Sequence, residues 1–358
     1  MADQTGNGPD SPRAKAPSAG FASELRDSVE PRTVWLIVGV LFVQLAFVFS
    51  YVGAFHAPKP HSVPVMVVAP EPIARRLAVR LNASPGSPLK VTVAPSRAAA
   101  VTRIKAAEQS AALVVAPASH TDQLLVASGG GAAVVTAVEK VARDAENAQG
   151  RQFTVTDVVP LQPGDARGLT GFYLVIGWIV GGYLVAAMLG IARGSRPANT
   201  ARAAIRLGAL ALYAIASGIG GALIVGPLLG ALTGHFIELA ALGALIVYAA
   251  GAVTMTFQVL AGVVGIGLTV LLFVVLGNPS AGGAYQQSLL PGFWRTLSNA
   301  LPNGAGTDSV RRIVYFSGQG IGGHLAVIGA YAVIGTVAAL GVSAFRSADR
   351  GRAAPESA

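Results

Sequence analysis

The feature that most constrains this chain is a set of long runs of uncharged, apolar residues. A helix needs about 20 consecutive apolar residues to cross the hydrocarbon core of a bilayer. Six stretches reach or approach that length: 34–55, 169–191, 203–228, 236–257, 259–276 and 321–345. Only 12% of the residues are charged, whereas soluble domains average about 25%. We therefore expect a polytopic α-helical membrane protein with about six transmembrane helices.

The arginines indicate how these helices are oriented. Four of them follow the second apolar run, the last of these just inside the third run, and three follow the last run: Arg193, Arg196, Arg202 and Arg206, then Arg346, Arg350 and Arg352. Cytoplasmic loops of membrane proteins carry an excess of Lys and Arg. We expect a multi-pass protein of the bacterial cell (plasma) membrane with cytoplasmic tails at 1–30 and 346–358. The same rule accounts for the net charge of +9 without a nucleic-acid partner.

The stretch 56–168 differs in character from the rest of the chain. Short apolar runs alternate there with charged stretches of helical period, as in a compact α/β domain. The pattern predicts five strands and three helices: strands at 63–69, 89–94, 111–116, 123–127 and 153–159, and helices at 72–81, 98–109 and 132–147. We expect a small extracytoplasmic α/β domain between the first and second transmembrane helices, followed by a five-helix bundle at 169–345.

The residue types needed for covalent or metal chemistry are missing or scattered. The chain has no cysteine, and its five histidines have no metal-ligand spacing. Gly129, Gly130 and Gly131 lack the Lys and Ser/Thr of a phosphate-binding loop, so they predict a strand-to-helix turn. We expect no catalytic residue, no metal and no cofactor, and therefore not an enzyme.

Glu238 is the only acidic residue within the six apolar runs, and His235 lies one turn before it. An ionisable residue inside a membrane span is by default a functional candidate. A carboxylate in the first turn of a helix is also stabilised by the helix dipole. Both readings stay open: part of a translocation path, or an interfacial helix start.

The segment 278–320 is the most distinctive part of the chain. Apolar stripes in it predict two short helices that lie in the outer interface or re-enter the membrane, separated by Pro291, Pro302, Gly304 and Gly306. Trp and Tyr favour headgroup depth. The candidate outer-gate residues of this segment are Trp294, Asp308, Arg311 and Tyr315.

Two motifs carry a resemblance to a known family. LQPGDARGLTGFY (161–173) enters the second span, and NPSAGGAY (278–285) with LLPGFWRTLSNALPNGAGTDSVRRIVYFSG (289–318) precedes the last. In these motifs and in its layout the chain resembles the actinobacterial permease-like proteins of the YhgE/Pip (phage-infection protein) group. That group is similar to the permeases of type-two ATP-binding-cassette exporters.

The resemblance implies a lipid-embedded homodimer that exports a hydrophobic or cell-envelope compound, with a separate cytoplasmic ATPase subunit. It implies that the loop carrying Arg193, Arg196, Arg202 and Arg206 couples to that ATPase. The loop departs from a typical coupling helix because it contains Pro197 and no acidic residue. A second hypothesis stays open: a membrane-anchored scaffold or receptor whose outside domain binds an envelope partner.

Overall fold

The computed structural model describes residues 31–193 and 200–353 of the chain. The predicted tail at 1–30 and the loop residue Arg196 lie outside these residues. The chain divides into two compact units, Met1–Ala46 and Phe47–Ala358. In the first unit the described residues are 31–46, which form the first part of a helix.

The described residues contain five helices that are long and apolar enough to cross a membrane: Val34–Phe55, Thr170–Ala192, Thr200–Leu228, Phe236–Ala261 and Gly322–Ser347. We label the complete helices α1 (Pro31–Phe55), α5 (Thr170–Arg193), α6 (Thr200–Leu223, continued as a π-helical turn over Ile224–Leu228), α7 (Phe236–Ala261) and α11 (Gly322–Ala353). These features are those of a multi-pass helical membrane protein.

The predicted fifth span, 259–276, has different bounds in the structure. Helix α7 continues to Ala261 and ends at Gly262, whose positive φ of 64° reverses the chain. The turn was predicted at Gln258, but that side chain is buried inside α7. The helix that follows, α8, covers Val264–Ser280 and includes a π-helical stretch at Leu271–Gly277. It is shorter than the five others, at the lower limit for crossing the hydrocarbon core.

Helix α7 forms the centre of the bundle because glycines bring its neighbours close to it. A Cβ atom at Gly218 of α6 would lie 2.2 Å from the Ala240 carbonyl oxygen, and one at Gly182 of α5 would lie 2.4 Å from that of Val247. Helices in membranes pack through such small residues, which allow backbones to approach closely. Most residues of α7 between Leu239 and Val259 are consequently buried.

The stretch between α1 and α5 forms a five-stranded sheet with three helices, which we call the module. Its elements are β1 (Val63–Val68), α2 (Glu71–Asn82), β2 (Leu89–Val93), α3 (Arg97–Lys105), β3 (Ala111–Val114), β4 (Thr121–Val126), α4 (Ala132–Asn147) and β5 (Gln152–Asp157). Each strand and helix lies where the sequence predicts one. The strand order is β2-β1-β3-β4-β5, with β4 antiparallel to β3 and the other pairs parallel.

The module shares its hydrophobic cores with the segment before α11. On one face of the sheet, helices α2 and α4 pack together with Leu289, and on the other face α3 packs with Phe316. Both of these residues come from the segment before α11. The glycine turn between β4 and α4 is tight for the same reason, since a Cβ at Gly129 would lie 2.7 Å from the ring of Tyr315. The end of the sheet that faces the bundle is therefore packed in part against this segment.

Candidate functional site

Two short helices before α11 form a hairpin, of which the second helix is mostly buried and the first buries only Trp294 and Ser298. They are α9 (Gly292–Ala300) and α10 (Pro302–Phe316), in agreement with the two helices predicted there. Pro302 separates them, but Gly304 and Gly306 lie inside α10 and do not break it. A Cβ at Gly304 would lie 2.1 Å from the Ser298 carbonyl oxygen. Glycine is thus required in α10 by close packing against α9.

Asp308 and Arg311 lie together on α10, where Arg311 Nη1 donates to Asp308 Oδ1 at 3.1 Å. The guanidinium of Arg311 is buried and also donates to the Gly282 carbonyl at 2.5 Å. An arginine buried this deeply is stable only when its donors are used. Arg311 therefore joins α10 to the loop that follows α8.

A cleft of about 230 Å³ lies between α10 and the module beside this pair. Asp308, Arg311 and Gln286 line it from the membrane part, and Gln109 and Ser110 line it from the module. The side-chain oxygens of Gln286 and Gln109 are buried without a hydrogen-bond donor. We call this feature the outer cleft. It can accept a polar ligand group.

Tyr315 does not face the outer cleft. Its hydroxyl donates to Asp165 Oδ2 at 2.7 Å, and Asp165 Oδ1 accepts from the amide of Thr170 at 3.0 Å and from its hydroxyl at 2.7 Å. Burial, and then the hydrogen bond to Asp165, raise the pKa of Tyr315. Asp165 is itself buried at 3% exposure. This contact, which we call the clamp, ties the end of α10 to the start of α5.

The linker between β5 and α5 is held at a second point. The side-chain oxygen of Gln162 accepts from the Thr233 amide at 2.8 Å, and its nitrogen donates to the Thr233 carbonyl at 3.2 Å. The motif at 161–173 thus contacts both α10 and the turn between α6 and α7. No repeating pattern could have identified these residues, because the partners are distant in sequence.

Trp294 lies on α9 and is buried at 6% exposure, packed with Ala54 and Leu290. A Cβ at Gly53 would lie 3.6 Å from its ring. The hairpin folds against the end of α1 through this ring, and the placement of Trp294 at headgroup depth stays a prediction. Trp294 anchors the hairpin.

His235 and Glu238 lie at the start of α7, as predicted, and Glu238 is exposed there. Glu238 lines a surface depression of about 660 Å³ together with Pro227 and residues of the turn between α6 and α7. Neither residue lines the outer cleft. The structure thus separates them from Asp308 and Arg311.

The basic residues lie at those ends of the membrane helices that are farthest from the module. Arg193 is the last residue of α5, while Arg202 and Arg206 lie in the first two turns of α6. Arg346 of α11 donates to the carbonyls of Val259 and Leu260 and so caps the last turn of α7. These residues are far from the outer cleft along the helices.

The interior beside the hairpin contains polar side chains that the sequence analysis did not single out. Asn303 is fully buried, and its amide donates at 3.0 Å both to the Phe273 carbonyl and to Asn278 Oδ1. The Ser50 hydroxyl donates to the Val275 carbonyl. Both carbonyls belong to the π-helical stretch of α8. Polar neighbours can satisfy backbone groups that irregular helices leave free inside a membrane.

Comparisons with known proteins identify no relative of the chain. No protein-family model, curated protein or solved structure matches it. In the part of the chain that the structure describes, no three His, Asp or Glu side chains lie close enough to hold a metal ion.

Proposed function

We propose that the protein is the membrane permease subunit of a type-two ATP-binding-cassette-like exporter. It moves a hydrophobic or cell-envelope compound, and a separate cytoplasmic subunit supplies ATP hydrolysis. Both termini are cytoplasmic in this proposal, the module is outside, and α8 is the fifth of six spans. The basic residues opposite the module support this orientation, because cytoplasmic ends carry the excess of Arg and Lys.

The hairpin of α9 and α10 is the observation that carries the proposal. It places an ion pair between the buried Arg311 and the half-buried Asp308, together with the buried Asn303, immediately before the last membrane helix. Placing polar and charged side chains inside a membrane protein costs free energy, and such side chains commonly mark a transport path. The outer cleft beside the pair is a route by which a polar headgroup could leave the bundle.

We further propose that two copies assemble and that the compound passes between them. The helices of one copy pack closely, and the cavity beside Arg206 and Gln258 has a volume of only about 10 Å³. That space holds about one water molecule. A path between two copies would not require these helices to separate.

The first experiment is purification of the full chain from its native membranes at low detergent, with the copurifying ATP-hydrolysing subunit identified by mass spectrometry. We expect that subunit in constant ratio to the chain, and we expect the double substitution Arg202→Gln with Arg206→Gln to reduce the ratio at least about tenfold, since surface charge pairs govern such docking. The double substitution Arg75→Gln with Arg103→Gln on the module is the matched control. An intact chain that never copurifies with such a subunit contradicts the proposal.

A scaffold or receptor function is the second candidate, favoured by a cleft on the module that faces away from the bundle. It would be tested in the full chain, because Leu289 and Phe316 complete the cores of the module. Substitutions in that cleft would abolish capture of the envelope partner and leave transport intact. Loss of transport on substituting Asp308 or Asn303, with the module cleft unchanged, would favour the permease.

A further inference from the structure

The edge of the sheet that faces away from the membrane helices carries a second cleft, of about 400 Å³. The strands β1 and β3 end at this edge, while β4 and β5 begin there. In sheets of parallel strands, ligands bind outside the carboxyl ends of the strands, where successive connections lead to opposite sides. Here the connection after β1 leads to β2, which lies on one side of β1, and β3 lies on the other side of β1. The cleft therefore occupies the usual position of a ligand site.

One wall of the cleft contains three charged side chains, two buried carboxyl groups and a half-buried arginine. Asp122 and Glu146 are each 2% exposed. Arg151 donates to both oxygens of Asp122, from Nε at 3.0 Å and from Nη2 at 2.5 Å, and Nη2 also reaches the Ala116 carbonyl at 3.0 Å. The nearest approach of Arg151 to Glu146 is 3.7 Å, between Nε and Oε2.

Glu146 Oε2 consequently has no hydrogen-bond donor although it is buried and lines the cleft. A buried carboxylate without a donor is unfavourable. Its position in the last turn of α4 adds to the cost, because the helix dipole disfavours negative charge there. A cationic donor in the cleft would remove both penalties.

The opposite wall offers the complementary charge. Arg76 and Arg80 lie one turn apart on α2, are exposed, and line the cleft. Guanidinium groups bind carboxylates and phosphates through paired hydrogen bonds. Between the two walls the lining is apolar, from Ile73, Leu77, Val115 and Pro117.

We propose that this cleft binds a small zwitterion, with the amine on Glu146, the acid group on Arg76 and Arg80, and an apolar part between them. The shared chemistry is an amine and an anion on one small molecule. It could come from an amino acid or from an aminophospholipid headgroup. The inference does not rest on the proposed transport function, because binding is measured without transport.

The pH dependence of binding follows from the charges that face Glu146. Burial, followed by the hydrogen bond that the protonated carboxyl of Glu146 donates to Asp122 and by the charge of Asp122, raises the pKa of Glu146 to about 7, although Arg151 opposes the shift. Hydrogen bonds from Arg151 and the Ala116 amide overcome burial and keep the pKa of Asp122 below its ordinary value. An amine pairs with the ionised carboxylate. Between pH 8 and pH 5 the affinity should therefore fall roughly 100-fold.

Isothermal titration calorimetry on the full chain, in nanodiscs of phosphatidylcholine and phosphatidylglycerol, tests the proposal. The probes are L-leucine and glycerophosphoethanolamine, which distinguish the two sources. Isopentylamine and 4-methylpentanoate are the controls that lack one charge each. We expect one zwitterion to bind with a Kd of about 1 mM or below and both controls to bind at least about tenfold more weakly.

The variants assign the binding to the two walls. Glu146→Gln should weaken binding at least about tenfold and abolish its pH dependence, whereas Asp144→Asn on the exposed face of α4 should change neither. The double substitution Arg76→Gln with Arg80→Gln should weaken binding similarly and keep the pH dependence, with Arg75→Gln as its control. Because Arg76 and Arg80 are exposed, this double variant decides the question even where Glu146→Gln fails to fold. Absence of binding by both zwitterions, or equal binding of the single-charge controls, overturns the proposal.

Discussion

At the scale of single residues, Glu146 couples the stability of the protein to pH. Its pKa is raised from 4.5 to about 7 in the folded chain. Between these values the unfolded chain has lost the proton and the folded chain keeps it, so unfolding releases a proton and becomes easier as pH rises. Below pH 4.5 and above pH 7, Glu146 does not make the free energy of unfolding depend on pH.

The first prediction compares the wild type with Glu146→Gln in thermal unfolding from pH 4.5 to pH 7. The free energy of unfolding of the wild type, relative to the variant, should fall by up to about 1.4 kcal/mol per pH unit. Partial burial lowers the pKa of His61. This shift makes the free energy of unfolding rise with pH, but the wild type and the variant share that contribution. A relative stability that is flat or rises across this range would contradict the assignment.

The second prediction concerns the clamp between Tyr315 and Asp165. A double-mutant cycle with Tyr315→Phe and Asp165→Asn isolates their hydrogen bond, because the two side chains touch directly. We expect a coupling free energy of about 1.5–3 kcal/mol, as for hydrogen bonds to a charged group. Chemical unfolding in detergent measures it.

Tyr173→Phe is the control for that cycle, since Tyr173 is 62% exposed. It should show no coupling to Asp165→Asn. Additive effects of Tyr315→Phe and Asp165→Asn would mean that the clamp contributes nothing to folding.

At the scale of secondary-structure elements, the sequence predicts the module well and the hairpin only in part. Strands and helices of the module follow from alternating and helical periodicity, which local sequence carries. Gly304 was predicted to break a helix, but it lies within α10 because packing against Ser298 leaves no room for a side chain there. Tertiary contacts override local propensity in such cases.

The candidate site was less predictable than the elements for the same physical reason. Asp308 and Arg311 are three residues apart, so helical spacing alone brings them together. Asp165 and Tyr315 are separated by 150 residues, and no local pattern reports such a pairing. The turn after α7 was misplaced because Gln258 is polar but buried, and Gly262 reverses the chain instead.

The third prediction tests the packing of the hairpin. Gly304→Ala would bring a Cβ within 2.1 Å of the Ser298 carbonyl oxygen, a contact with backbone that no rotamer change can relieve. We expect a loss of at least about 1–3 kcal/mol of stability, as in other overpacked cores. Thermal unfolding in nanodiscs measures the loss.

Gly292→Ala is the matched control in the same hairpin, since nothing lies within 4 Å of a Cβ there. It should be neutral or slightly stabilising because Ala favours helix over Gly. Equal effects of the two substitutions would show that α9 and α10 do not pack as closely as described.

At the scale of the whole molecule, the module is joined to the membrane part by shared cores and by hydrogen bonds. Phe316 of α10 packs with Ile104 of α3 and Met66 of β1, and Leu289 packs with the opposite face of the sheet. The His61 amide also donates to the Ser288 carbonyl at 2.8 Å. A ligand that changes the module can therefore act on the hairpin through rigid contacts.

The fourth prediction is that a cavity made in α10 loosens the module. Phe316→Ala removes a side chain that is 6% exposed, and such substitutions cost about 3–5 kcal/mol. Hydrogen exchange of the full chain, followed by mass spectrometry, should then accelerate in α3 and β3 as well as in α10. Phe345→Ala, at a side chain that is 70% exposed on α11, should leave exchange in the module unchanged. Faster exchange confined to α10 would mean that the module folds independently, and in that case a ligand in its cleft could not influence the hairpin through this contact.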